Sequence, residues 1–271
     1  MIQTMRSRAL GLVMLAGLLT GCPKTTRPRD AGADSGPRDG GALVPDGGAT
    51  GDGGSPDDGG SPPDAGIHPD GGGPRVILDV DFQGSPTGAY TDPRVRADWP
   101  GTRWTMSSRA TIVDEGGERF VRILYPAGAW GSATSGAQWQ VGFPSAHQEL
   151  WLRYRVRFRA GFDAVRGGKL PGLIGGEANT GGDAPDGTDG WSGRMMWRSG
   201  LDAVQYVYHP DQPTTYGEDF QWAIGGQRHF VPGTWHTVEH RVVMNTPGVH
   251  DGIIQGWFDG ELVTPEKPEP E

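Results

Sequence analysis

The sequence predicts an all-β protein: an antiparallel two-sheet jelly-roll sandwich, preceded by an export signal and a disordered linker. Three observations lead there. Beyond residue 75, apolar and polar residues alternate with the period of two that a strand imposes. The alternating runs are short and separated by Gly, Pro and Asn clusters, and no helical stripe of ten or more residues interrupts them. All ten tryptophans, six tyrosines and eight phenylalanines of the 271-residue chain lie from Phe82 onward, so the material for a core is confined to one C-terminal domain.

The first element is the leader, residues 1–21. Arg6 and Arg8 precede an apolar run from Ala9 to Leu19, long enough for a signal-peptide core and too short for a stable membrane span. The run ends in Leu19-Thr20-Gly21-Cys22, which resembles the lipobox of bacterial lipoproteins. The resemblance implies cleavage before Cys22, lipidation of its thiol and an exported protein held at a bacterial membrane, expected at the cell surface. Each buried methylene of such an anchor contributes roughly 0.8 kcal/mol. Cys22 is the only cysteine, which excludes a disulfide scaffold.

Residues 22–74 form the second element, a tether. Between residues 30 and 73, fifteen glycines, nine aspartates and six prolines accompany no aromatic residue. That composition cannot offset the entropy of ordering, and its prolines and like charges keep it extended. The chain has a net charge of −9, with its basic excess confined to the N-terminus. No basic field is available for nucleic acid.

The domain spans residues 75–263. Its candidate strands are 76–82, 109–114, 118–125, 137–143, 150–159, 192–198, 203–209, 235–245 and a hairpin over 253–263. In the fifth, Leu150, Leu152, Tyr154, Val156 and Phe158 alternate with Trp151, Arg153, Arg155, Arg157 and Arg159, so four guanidinium groups share one face. That row, and Arg155 and Arg157 above all, is expected to line a groove for a polyanion. Asp259-Gly260 supplies the positive backbone angles that a two-residue hairpin turn requires.

The segment 191–209 is the most informative. Alternation places Ser192, Arg194, Met196 and Arg198 on one face of a strand, and Tyr206 and Tyr208 on one face of the next. A three-residue loop over 199–201 would pair Arg194 with Tyr206 and Ser192 with Tyr208, gathering hydroxyl, guanidinium and phenols into one patch. A register shifted by one would scatter them.

With the upstream KLPGLIGG, which begins at Lys169, this constellation resembles the polysaccharide lyase family 14 domain, whose members include alginate and glucuronan lyases with a jelly-roll fold. The likeness runs from about Glu149 to Val263 through ELWLRYRVRF, KLPGL, WSGRMMWR, YVYH, PGTWHTVEHRVVMNT and WFDGELV. It implies a lyase that cleaves a uronic-acid polymer by β-elimination, with Lys169, Ser192, Arg194, Tyr206 and Tyr208 at the important positions and Arg198 beside them. Arg194 would neutralise the uronate carboxylate as charge builds up on it. Tyr206 and Tyr208 would serve as base and acid in an order left open. Ser192 would hold the carboxylate. Lys169 would reach in from an adjoining loop, either as a carboxylate ligand or as a charge that lowers a phenol's pKa. The scheme calls for no metal ion and no other cofactor. A non-catalytic carbohydrate-binding sandwich is the alternative; a glycoside hydrolase would need two placed carboxylates, and no Glu-x-Asp-x-x-Glu pattern occurs on a candidate strand.

Weaker signals remain. His236 and His240 share a strand face, but no third ligand has zinc-like spacing. Asp183, Asp186 and Asp189 lie in a glycine-rich loop that fits no EF-hand spacing. The terminal TPEKPEPE, residues 264–271, cannot be a strand. The family domain is expected to continue past this point, so its last strands are expected to be missing here.

Overall fold

The computed structural model describes residues 75–264, together with the backbone of residues 2–4 and 7–10. Cys22, the tether and the tail beyond residue 264 lie outside the described residues. In chain order the first elements are β1 (Ile2–Thr4), β2 (Ser7–Leu10), β3 (Leu78–Val80), β4 (Gly88–Ala89), α1 (Asp92–Asp98), β5 (Thr102–Met106), β6 (Ala110–Glu115) and β7 (Glu118–Ile123). There follow β8 (Gln138–Val141), β9 (Glu149–Phe158), β10 (Gly167–Gly176), β11 (Gly190–Arg198), β12 (Ala203–Tyr208), β13 (Glu218–Gln221), β14 (His236–Val243), β15 (Ile253–Phe258) and β16 (Glu261–Leu262).

Every ladder is antiparallel. One large sheet runs β16-β15-β14-β9-β1-β7-β6-β4, with β2 and β3 alongside. The second is β10-β11-β12-β13, and β5 and β8 form a ribbon. Alternation explains why the two sheets stack. Leu152, Tyr154, Val156 and Phe158 of β9 and Val238 and Val242 of β14 share a core with Leu173 of β10, Met195 and Trp197 of β11 and Ala203 of β12. Each such side chain contributes roughly 1.5–3 kcal/mol on burial. Phe158 meets Trp197 edge to face at 5.2 Å, and the buried Tyr154 hydroxyl donates to the Pro171 carbonyl at 3.2 Å, joining the layers directly. With Met195 and Trp197 turned inward, Ser192, Arg194 and Met196 face outward from the second sheet.

The antiparallel sandwich is the architecture the alternation predicts. The hairpin at Asp259-Gly260 also forms, with φ of 52° and 88° at its two turn residues. Five elements of the domain are additional to the reading, among them the two-residue β4. The helix α1 is short, starts on Asp92-Pro93 and buries Val95. Strands β5 and β13 are four or five residues long. Strand β10 is half glycine, a composition that reads as loop.

The segments β1 and β2 fall within the expected leader. Ile2–Thr4 pairs with β7 on one side and β9 on the other, and Ser7–Leu10 bridges β3 and β9. These residues give backbone partners to the edges of β3, β7 and β9.

Candidate active site

The site is built on the outward face of β10–β13. The turn over 199–201 closes the β11–β12 hairpin, with Gly200 at φ 74° and the Arg198 amide donating to the Asp202 carbonyl at 2.9 Å. The resulting register sets Ser192 opposite Tyr208 and Arg194 opposite Tyr206, the pairing that the alternation predicts.

Lys169 is the first correction. It lies on strand β10, opposite Met196, and not in a loop. The ladder slips between Lys169 and Gly172, where three steps on β10 answer two on β11. This bulge accommodates Pro171, which cannot donate to a ladder, and keeps both Lys169 and Gly172 on the Arg194 side. Gly172 stands opposite Arg194, and a Cβ there would lie 2.2 Å from the Gly193 carbonyl oxygen. Only glycine lets β10 approach the arginine strand so closely.

Tyr206 is the hub. The Lys169 Nζ and the Arg198 Cζ each stand 5.2 Å from its ring centroid, and the Arg194 Cζ stands 5.5 Å from it. Arg194 also lies 5.7 Å from the Tyr208 ring, and the two phenols meet edge to face at 5.6 Å. Arg194 is 1% exposed, and its Nε and Nη2 have no hydrogen-bond partner among the described residues. A buried guanidinium with open donors is a receptor for an anion.

The environment separates the proton affinities. Burial, then the charges of Arg194 and Arg198, lower Lys169 from 10.5 to about 7. Burial also lowers Arg194 to about 10, which still leaves it charged at neutral pH. Tyr206 moves the other way: burial, followed by its hydrogen bond to Tyr208, raises it well above the ordinary phenol value. Tyr206 thus keeps its proton, because desolvation outweighs the lowering by Arg194 and Arg198.

The loop between β10 and β11 roofs this face. The buried Ser192 hydroxyl donates to the Asn179 carbonyl at 2.7 Å, so its proton is committed to the loop and not to a ligand. The Gly182 amide donates to the Tyr208 hydroxyl at 3.2 Å, leaving Tyr206 as the more open phenol. Asp189 accepts from the Asn179 side-chain amide at 2.7 Å and from the backbone amides of Asp186 and Gly190. Asp186 in turn accepts from Thr188. The aspartates thus serve as turn formers. Sequence reading missed Asn179 and Gly182, and also Asp219, which binds Arg198 through two bonds of 2.8 and 2.5 Å.

Arg155 and Arg157 are the second correction. Their neighbours Tyr154 and Val156 point into the core, so the arginines occupy the outer face of the large sheet, across the sandwich from Arg194. There Arg155 pairs with Glu118 at 3.0 Å, Arg157 with Glu115 at 2.5 Å, and both lie over the Trp235 ring. They line no groove with the site residues. His236 and His240 are likewise separated: the first bonds Asp259 and the Val231 amide, the second bonds Gln205 inside the core.

No curated protein matches the chain at a significant level. Among solved structures, alginate lyase Aly36B is similar at 30% identity with a TM-score of 0.61, covering 70% of this chain and 77% of that one. Two further structures share the fold. They are alginate lyase vAL-1 from Chlorella virus, at 21% identity, TM-score 0.54 and coverage of 67% and 81%, and the marine PL-14 alginate lyase from Aplysia kurodai, at 24%, 0.53, and 64% and 75%. Residues 113–268, more than half of the chain, match the family Polysaccharide lyase 14. With its antiparallel sandwich and the Lys169–Arg194–Tyr206–Tyr208 face in place, the chain belongs to polysaccharide lyase family 14.

Proposed function

We propose that this face cleaves an alginate-type polyuronate by β-elimination, with Lys169 as the base and Tyr206 as the acid. The single observation that carries the assignment is the buried Arg194, its Nε and Nη2 open, set opposite Tyr206 and beside Lys169. Arg194 receives the uronate carboxylate and neutralises the charge that builds up there as the C5 proton leaves. Neutral Lys169 takes that proton; with a pKa of about 7 it is poised for the task at neutral pH. The C4–O4 bond breaks as the C4–C5 double bond forms, and Tyr206, still protonated, delivers its proton to O4. Tyr208 and Ser192 hold the roofing loop over the site. A variant of the related Aly36B has been solved with an alginate tetrasaccharide, which supports the polymer class.

We further propose, from Leu19-Thr20-Gly21-Cys22, that the mature protein is tethered to a bacterial membrane through lipid on Cys22. No helix among the described residues is long and apolar enough to cross a membrane.

The test is the ultraviolet absorbance of the unsaturated uronate, followed with alginate, glucuronan and related polymers. Wild type is expected to generate it on at least one; Lys169→Ala and Tyr206→Phe are expected to lose about 10²–10⁴-fold in kcat while still binding polymer. Full turnover in either variant would refute its assigned role.

A further inference from the structure

Resting on Lys169 as the base, the geometry points to Asp219 as a positioning residue: through its ion pair with Arg198, it sets the charge that Lys169 experiences. Asp219 stands opposite Tyr206 in the β12–β13 ladder, while Arg198 reaches it from β11 over the same ring. Lys169 and Arg198 therefore both lie against one phenol ring, each 5.2 Å from its centroid, and the carboxylate that offsets the arginine sits on the neighbouring strand.

The cluster has few members. The titratable and charged groups on this face are Arg194 and Arg198 from β11, Tyr206 and Tyr208 from β12, and Asp219 from β13; β10 itself carries no charged residue besides Lys169. Glu218 is opposite Val207, turned to the other side, and bonds His209 at 2.9 Å. Three cations thus face one carboxylate. Arg194 and Arg198 both make it harder for Lys169 to keep its proton, and Asp219 opposes them. The ion pair is partly exposed, so its strength as a structural bond is small, but its two charges act on Lys169 with opposite signs.

Opposite signs give a test that a structural role cannot imitate. Both Asp219→Asn and Arg198→Met break the same pair, so any effect of losing the bond is common to them. Electrostatic tuning instead predicts divergence. Asp219→Asn leaves Arg198 uncompensated and is expected to lower the Lys169 titration midpoint by roughly half to one pH unit; Arg198→Met leaves Asp219 uncompensated and is expected to raise it by a similar amount. The double variant is expected to return close to wild type.

The midpoint can be read without turnover. The chain has three lysines, Lys24, Lys169 and Lys267, so NMR titration of lysine labelled at Cε gives few signals, and the one missing in Lys169→Ala is assigned. Single variants whose midpoints move together, or not at all, would overturn the proposal. The pH profile of kcat/KM supplies the second arm. If the midpoints diverge but the profile does not follow them, Lys169 is not the base, and the charge coupling stands without that role.

Discussion

Lys169 and Tyr206 meet face on, the ammonium nitrogen 5.2 Å from the ring centroid. In this pair the group that gives up its proton readily stands over the group that keeps its proton firmly, which is the division of labour an elimination needs.

The pH dependence follows from that contact. Lys169 is charged below about pH 7 and neutral above it, and only the neutral amine accepts a proton. Turnover is therefore expected to rise as pH increases through about 7 and to fall about tenfold per unit below it. A kcat/KM series between pH 5.5 and 9, on the order of one point per half unit, checks this; a profile flat through neutrality would contradict it.

The close approach of β10 to β11 makes Gly172→Ala informative. The added Cβ would meet the Gly193 oxygen at 2.2 Å and the Arg194 Cα at 2.4 Å, and both are backbone atoms that cannot swing aside. A stability loss of about 1–3 kcal/mol is expected in thermal or urea unfolding. Because Arg194 must move with its backbone, turnover should drop further than stability alone explains.

His240 governs acid tolerance. Burial lowers it from 6.5 to about 3, so the unfolded chain takes up a proton that the native state refuses. Its contribution is complete above the unfolded value and is lost as pH falls, at about 1.4 kcal/mol per unit between roughly 6.5 and 3. Urea midpoints compared at neutral and mildly acid pH should show that slope in wild type and a shallower one in His240→Gln.

Arg155→Ala and Arg157→Ala address the opposite face. Each arginine holds one glutamate and lies over Trp235, contacts that contribute about 0.5–1 kcal/mol at a partly exposed site. Both variants are expected to turn over polymer within about twofold of wild type, since neither side chain is on the Arg194 side of the sandwich. A large rise in KM in either would place polymer on that face after all.

Much of the site was legible because a strand face is a period-two pattern and a hairpin fixes register. The Ser192–Tyr208 and Arg194–Tyr206 pairs needed only the alternation in 191–209 and a short loop. Lys169 needed more. Its strand is too rich in glycine to carry a pattern, and the bulge at Pro171 breaks the parity that links Lys169 to Gly172. The arginines of β9 were legible as a row, but alternation separates two faces without saying which one meets the other sheet. Asp219 was hidden for a third reason: a long loop separates β12 from β13, so no turn length fixes that register.

The pairing of Arg155 and Arg157 with glutamates has a consequence for how the molecule meets its polymer. Arg153 and Arg241 are also matched, to Glu239 and Glu149, so on the outer face of the large sheet these four arginines are engaged with glutamates. On the Arg194 face three cations stand against one aspartate, and Arg194 keeps Nε and Nη2 open. The domain is in this sense one-handed: an arriving polyuronate is expected to find uncommitted guanidinium donors on the Arg194 side, where its carboxylates need displace no existing ion pair.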